Sequence, residues 1–446
     1  MESEDKLKNL TPRERFLEGS WSKNKFPPAT LGSHSLENLP SEGTFLTRGR
    51  VSDLYPTGLT LFSGGRQRIF SLHPDLEISK GFKVTETLLS GDLVEVLTLR
   101  KKDELEIKGI TLLVPTAAAN PFENSSGSFD RGRALQWQKF QHIVRTYFQD
   151  ENFVELRTPT LVPSPGLEPY LDTFETRFDL GKKAKVFYLP TSPEYHLKKA
   201  LTLGFEKCFE FKDCFRNNEQ GPHHQPEFLM LEWYRAYQDN HALIRDLREL
   251  MAYLQKSFPE TNSNAAPLKV VFMEQLWKEV LDFDLSPKST HSQLAALAQK
   301  SGIHHTVSDS FDDLFSRLML EKIEPALATK DEPVILWHFP PSQAALSRLT
   351  PEGWADRFEL YWRGLEIANA FHELNDPHEN RRRFQEDQNR KTARGKSAPP
   401  IDEELMTALH WGMPPASGIA LGMERLFMAL LKLNRIEDVR LFPMRT

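Results

Sequence analysis

Between Gly43 and Thr116, apolar and polar residues alternate in short runs: TFLTRGRV, LTLFSG, RQRIFSL, DLVEVLTLR and LEIKGITLLV. A period of two sends successive side chains to opposite faces of a strand. Tyr-Pro-Thr-Gly and Ser-Gly-Gly turns separate the runs, and the spacing predicts a small β-barrel. The period then lengthens. In RALQWQKFQHIVRTYFQDE, Leu135, Phe140, Ile143, Val144, Tyr147 and Phe148 recur at helical spacing. FVELRTPTLV reads as a strand stopped by Pro159, and KVFYLPTSPEYHLKKAL as a strand running into a helix. KCFEFKDCFR and PEFLMLEWYRAY read as two strands paired across a turn. Residues 241–330 read as a mainly helical insertion. PVILWHFP and RFELYWRGLEIANAFHEL return to strands, DPHENRRRFQEDQNRKTARG to a charged helix, and SGIALG to a strand feeding the helix MERLFMALLKL. Clustered strands with few βαβ alternations predict an α+β domain: a mainly antiparallel sheet flanked by helices.

These patterns divide the chain into a disordered lead-in (1–40), the barrel (41–117), a linker (118–132) and the α+β domain (133–446). The barrel is expected to be of the oligonucleotide-binding (OB) type. Hydrophobic content of 39% and charged content of 26% are those of a globular chain of 446 residues. The net charge of −6 excludes a global basic field that would draw the chain onto nucleic acid, though not a local patch. Two cysteines, Cys208 and Cys214, rule out a disulfide framework and suit a reducing cytoplasm. MESEDKLKNL lacks the layout of a signal peptide, and no membrane span is expected.

The candidate chemistry centres on CFRNNEQGPHHQPEFLMLEWYR, Cys214 to Arg235. A zinc site from Cys208, Cys214, His223 and His224 is disfavoured. Six residues of strand separate the cysteines by roughly 20 Å, and thiolates sharing a zinc sit a few ångströms apart. A nucleotide suits the stretch better. Arg216 before the loop can pair with phosphate oxygens, and Phe228 after it can stack on a base, worth roughly 1–3 kcal/mol. In SGIALGMERLF, Gly418, Ala420 and Gly422 share one face and allow close approach to the backbone, while Arg425 can cover a base by cation–π contact. In FELYWRGLEIANAFHEL, Glu359 and Glu366 are the carboxylate type that suits Mg²⁺ beside phosphates; each taken singly is equally a solvated strand face.

These three elements, in this order, resemble motifs 2 and 3 and the intervening metal-binding strand of class II aminoacyl-tRNA synthetases. ENFVELRTPTL resembles motif 1, the dimer-forming motif. FRNNEQGPHHQPEFLMLE and GLEIANAFHEL are similar to the lysine-specific branch. TSPEYHLK, MLEWYR, HFPPSQAALS, FHELND, RRFQEDQNRKTARG and GMPPASGIALG resemble the paralogues of lysyl-tRNA synthetase that modify elongation factor P, the (R)-β-lysine ligases. The resemblance implies a cytoplasmic homodimeric ligase that uses ATP and Mg²⁺ to activate lysine or β-lysine as an adenylate and passes it to a lysine of elongation factor P. It implies an ATP site of Arg216, Asn218, Glu219, His224, Gln225, Phe228, Gly422 and Arg425, with Arg216 and Arg425 catalytic. It further implies metal ligands Glu359 and Glu366, and a substrate pocket of Glu194, Glu232, Tyr234, Asn369, Phe371, Glu373 and Ala420. A substrate with two ammonium groups needs buried carboxylate partners, and Glu232 and Glu373 suit that best.

The chain departs from the pattern in places. Asn218 stands where that family has glutamate, with Glu219 following, and Gln225 stands for an asparagine. Modifiers of elongation factor P usually lack an N-terminal barrel, whereas lysyl-tRNA synthetases grip the anticodon with one. Arg48, Arg50, Arg66 and Arg68 could meet phosphates, but Leu59 and Leu61 stand where a stacking ring is expected. A lysyl-tRNA synthetase charging tRNA(Lys) is therefore the alternative reading, and a catalytically dead binding paralogue a third.

Overall fold

A computed structural model of the chain describes residues 11–21, 33–63, 66–116, 131–181, 183–258, 267–440 and 442. The chain divides into two compact units, Met1–Leu135 and Gln136–Thr446.

In the first unit the alternating runs become β1 (Gly43–Tyr55), β2 (Gly58–Ser63) and β3 (Arg66–Ser71), then a small hairpin of β4 (Glu77–Ser79) and β5 (Phe82–Lys83), then β6 (Leu93–Lys101) and β7 (Glu104–Val114). Five of these close a barrel in the order β1-β2-β3-β7-β6. Phe45, Val51, Leu59, Leu61, Phe70, Val94, Val96 and Ile107 fill it. Leu59 and Leu61 are thus core residues and present nothing to a partner, whereas Arg48, Arg50, Arg66 and Arg68 are exposed. One expectation is corrected here. Pro12–Trp21, inside the stretch read as a disordered lead-in, forms a helix. Arg13 donates to both oxygens of Asp92, at 2.7 and 2.9 Å, and to the carbonyls of Thr87 and Thr116. The Asp92 side chain is fully buried and needs that cation. The remainder of 1–32 and residues 117–130 lie outside the described residues.

In the second unit the strands are β8 (Val154–Glu155), β9 (Glu175–Leu180), β10 (Lys183–Tyr188), β11 (Lys207–Phe215), β12 (Glu227–Ala236), β13 (Lys269–Phe272), β14 (Val334–Phe339), β15 (Ala355–Trp362), β16 (Leu365–His372) and β17 (Ala416–Gly422). β9 and β10 pair alone; the other eight form one sheet, ordered β13-β14-β15-β16-β17-β12-β11-β8. Its central pairings are antiparallel, and only the outer pairs β13–β14 and β11–β8 are parallel. Phe209, Leu231, Trp233, Ile367, Ile419 and Leu421 pack against the helices Arg131–Asp150, Asn240–Ser257 and Met423–Leu431 in one core. Their alternate neighbours face the other way.

Two elements differ from the pattern. The strand expected over FVELRTPTLV is only Val154–Glu155. Beyond it, side chains replace the ladder: Thr158 donates its N–H to Glu210 at 2.9 Å, and Lys212 donates to the carbonyls of Thr158 and Pro159 at 2.6 and 2.9 Å. β13 emerges within the mainly helical 241–330 and joins the sheet edge.

The core holds a charged hub. Asp246, 2% exposed, accepts from Trp233 Nε1 at 3.0 Å and from Arg235 Nε and Nη2 at 2.8 and 2.6 Å. Removing one partner of such a pair strands the other charge, so Asp246→Ala should cost about 3–5 kcal/mol in urea unfolding. A loss below about 1 kcal/mol would mean that Arg235 simply reaches solvent.

Candidate functional site

The site is built on the sheet face opposite that core. Register sets it out in rows: Met230 opposite Gly422; Glu232, Ala420 and Asn369 across three strands; Tyr234, Gly418 and Phe371 across the same three. All line one cavity of about 430 Å³. The loop between β11 and β12 adds Arg216, Glu219, His223, His224 and Gln225 to its wall, and the helix after β17 adds Arg425. Fifteen of the seventeen residues singled out above are brought together here; Asn218 and Glu359 are not on the wall.

At one end stand an arginine and an aromatic ring. The Arg216 guanidinium lies 5.0 Å from the centre of the Phe228 ring, and its Nε is buried without a hydrogen-bond partner. Arg425 donates to His224 Nε2 at 2.6 Å and to the carbonyl of Glu366 at 2.9 Å. Burial, then the Arg425 charge, pushes the His224 imidazole below its ordinary value, so the neutral ring can accept that bond. Asn218 sits at φ +62° with its amide bonded to Asp172 at 2.9 Å. It is Glu219, one residue on, that faces the cavity.

At the other end stand carboxylates. Tyr234 donates its hydroxyl to Glu232 at 2.7 Å. Glu232 Oε2 and Glu373 Oε1 are buried with no hydrogen-bond partner. Burial holds the Glu232 carboxyl well above the ordinary range and pushes Glu373 up to about 7. Gly418 is glycine for a reason the sequence does not disclose. A Cβ there would lie 2.2 Å from the Tyr234 ring and 2.6 Å from Glu373, so at this position the close approach is made by neighbouring side chains.

The carboxylates read as metal ligands part company. Glu366 is half-exposed on the cavity wall, 3.6 Å from Arg425 Nη1. Glu359 is buried, bonded to Arg357 and, at 2.6 Å, to the Tyr361 hydroxyl, and burial pushes it up to about 7. Among the described residues, no group of three or more His, Cys, Asp or Glu is placed to hold a metal. Arg357 was missed in the sequence, though it stands two before Glu359 on the same strand face. It lines the cavity and donates to Asn369 Oδ1 at 3.0 Å and to the Gln343 carbonyl at 2.8 Å. Glu168, Asp312, Asp387 and Arg390 also line it, from segments whose sequence carries no signal of proximity.

A family model for class II tRNA synthetases (D, K and N) matches residues 134–446. The chain is 38% identical over 306 residues to a protein of Erwinia tasmaniensis named elongation factor P–(R)-β-lysine ligase, which covers 67% of this chain and 91% of that protein. A protein of the same name from Haemophilus influenzae is 37% identical over 316 residues, covering 70% of this chain and 95% of that protein. Among the described residues, no helix is long and apolar enough to cross a membrane.

The raised Glu373 carboxyl has a consequence for stability. Its ordinary value is 4.5 and its folded value about 7, so between those pH values the folded state holds a proton that the unfolded state has lost. Stability should therefore fall as pH rises through that window. Glu373→Gln removes this slope, so its melting temperature should climb relative to the parent from pH 4.5 to 7, measured without substrate. Parallel melting curves across the window would show that Glu373 is ionised throughout.

Proposed function

Because the chain belongs to the class II tRNA synthetases of the D, K and N family, and is a ligase related to the elongation factor P–(R)-β-lysine ligases, we propose that it activates lysine or β-lysine with ATP and transfers the acyl group to a lysine of elongation factor P. One observation carries this reading: a single cavity joins an arginine–aromatic end suited to a nucleotide with a buried carboxylate end suited to ammonium groups.

The substrate carboxylate attacks the α-phosphorus of ATP, the bond to pyrophosphate breaks, and an aminoacyl-adenylate forms. Arg216, with its buried Nε unpartnered, neutralises charge growing on the α-phosphoryl oxygens. Phe228 and Arg425 hold the adenine. Glu232 and Glu373 hold the ammonium groups and so fix the carboxylate for attack. The amine of the acceptor lysine then attacks the acyl carbon, AMP leaves, and an amide remains. Mg²⁺ on the phosphates would supply further charge neutralisation. Glu366 fits its preference for one or two carboxylates beside phosphate oxygens, whereas Glu359 has first to release Arg357.

Ala420 supports β-lysine. It stands between Glu232 and Asn369 in register, so its methyl group occupies the floor between the two polar groups. It crowds an α-ammonium and leaves room for an amino group one carbon along. A second reading, lysyl-tRNA synthetase, is favoured by the closed barrel with its exposed arginines. A third of this chain lies outside the alignment to the Erwinia protein.

Incubation with ATP, labelled lysine or β-lysine, and either elongation factor P or tRNA tests the reading directly. Label on elongation factor P is expected; label on tRNA alone would replace this reading with the second. In pyrophosphate exchange the parent should favour β-lysine over lysine in kcat/KM, and Ala420→Gly should level or reverse that, a change of about 1–3 kcal/mol for one methyl group. An unchanged ratio would reduce Ala420 to packing. Phe228→Ala should weaken ATP binding by about 1–3 kcal/mol in calorimetry, and unaltered affinity would remove Phe228 from the site.

A further inference from the structure

Behind the carboxylate end of the cavity lies a cation that the proposed reaction does not use. Lys198, on the helix Glu194–Thr202, is 1% exposed and does not line the cavity. Its Nζ is 2.6 Å from Glu194 Oε1 and 2.7 Å from Glu373 Oε2. Both of those carboxylates do line the cavity, as does Glu232. Among the described residues, no other cation stands within ion-pairing distance of the three. Arg348 approaches Glu373, but donates to its backbone carbonyl at 3.3 Å and to Asn375. Tyr234 adds no charge, because burial keeps its phenol well above its ordinary value.

The charge count is then simple. Glu168, also on the wall, faces the opposing charges of Arg216 and Lys391. The remaining three carboxylates, Glu194, Glu232 and Glu373, with the one ammonium of Lys198 leave two negative charges, and lysine and β-lysine each bring two ammonium groups. The two oxygens left buried without partners, Glu232 Oε2 and Glu373 Oε1, are the ones available to them. We infer that Lys198 is a specificity-determining residue: a resident counter-ion that cancels one of three pocket carboxylates, so that a substrate with two ammonium groups leaves no buried charge unpaired. This deepens the function proposed above and rests on it. The ordinary role of such a lysine is to brace its helix through the Glu194 pair four residues away. That role does not explain the second pair, to Glu373 on a different strand end, or the burial of the whole side chain. Burial raises both the Glu232 and the Glu373 carboxyl, in keeping with two carboxylates that lack a full complement of cations.

The test uses pyrophosphate exchange with the full chain. Lys198→Ala should raise KM for lysine and β-lysine at least about tenfold, change kcat less than about threefold, and leave KM for ATP unaltered, since the lost pairing acts on ground state and transition state alike. Ethylammonium should restore KM in Lys198→Ala, and ethanol, of similar size and uncharged, should not. A helix-bracing role predicts no difference between the two additives. Unchanged KM, or a raised KM that ethylammonium does not lower, overturns the inference. Should the variant fail to fold, calorimetry on the parent chain decides instead. Titration with lysine at pH 6.5 in buffers of different ionisation enthalpy should show net proton release, because the arriving ammonium groups displace the protons on Glu232 and Glu373. Absence of release overturns the charge match. A parent chain that activates neither lysine nor β-lysine takes down the proposed function itself. An active parent with an indifferent Lys198→Ala takes down this inference alone.

Discussion

A side-chain period of two along β12, β16 and β17 is the constraint on which the rest of this chain depends. Leu231, Trp233, Ile419 and Leu421 face the helical core, and Glu232, Tyr234, Gly418 and Ala420, between them, face the cavity. The same alternation therefore places the apolar core and the polar site. A slip of one residue between β12 and β17 would bury Glu232 among the helices and turn Trp233 into the cavity. The transverse row Glu232–Ala420–Asn369 exists only in this register. Stability and chemistry are thus enforced by one set of backbone hydrogen bonds, with the apolar face supplying the energy that holds the polar face in place.

That polar face is expensive to bury. Glu232, Glu359 and Glu373 are all buried, and each is pushed above the ordinary carboxyl range by loss of solvent. The protein meets the cost locally. Arg357 and Tyr361 hold Glu359, Lys198 holds Glu194 and Glu373, and a tyrosine hydroxyl holds Glu232. Of these carboxylates, Glu232 and Glu373 each keep an oxygen without a partner, and both residues line the cavity. A site that binds cations needs such unpaired acceptors, because a fully satisfied pocket would gain little from an incoming ammonium group.

The barrel obeys the same logic of alternation. Its buried leucines fill a closed core, its arginines remain outside, and Arg13 anchors a helix to the one buried aspartate. The family match begins at residue 134.

Much of this was legible in the sequence, for a physical reason. Period-two and period-3.6 patterns report which face of an element is apolar, and so the barrel strands, the central strands of the sheet with their antiparallel character and the helix after SGIALG could be read directly, whereas β9 and β13 were not. Arg216, Phe228 and Arg425 were legible because each sits in a short stretch whose local order matches a recognisable motif. What the sequence did not disclose are relations between distant segments. The helix Pro12–Trp21 depends on Asp92, 79 residues beyond Arg13. The short β8 depends on Glu210 and Lys212 taking over its hydrogen bonds. Gly418 is small because of Tyr234 and Glu373, Glu359 is tied up by its hydrogen bond from Arg357, and Lys198 becomes a counter-ion only where helix and strand ends meet. A local pattern encodes which way a side chain points. Only the packed tertiary structure decides what it meets there, because burial is what makes an unpaired charge or a misplaced methyl group costly.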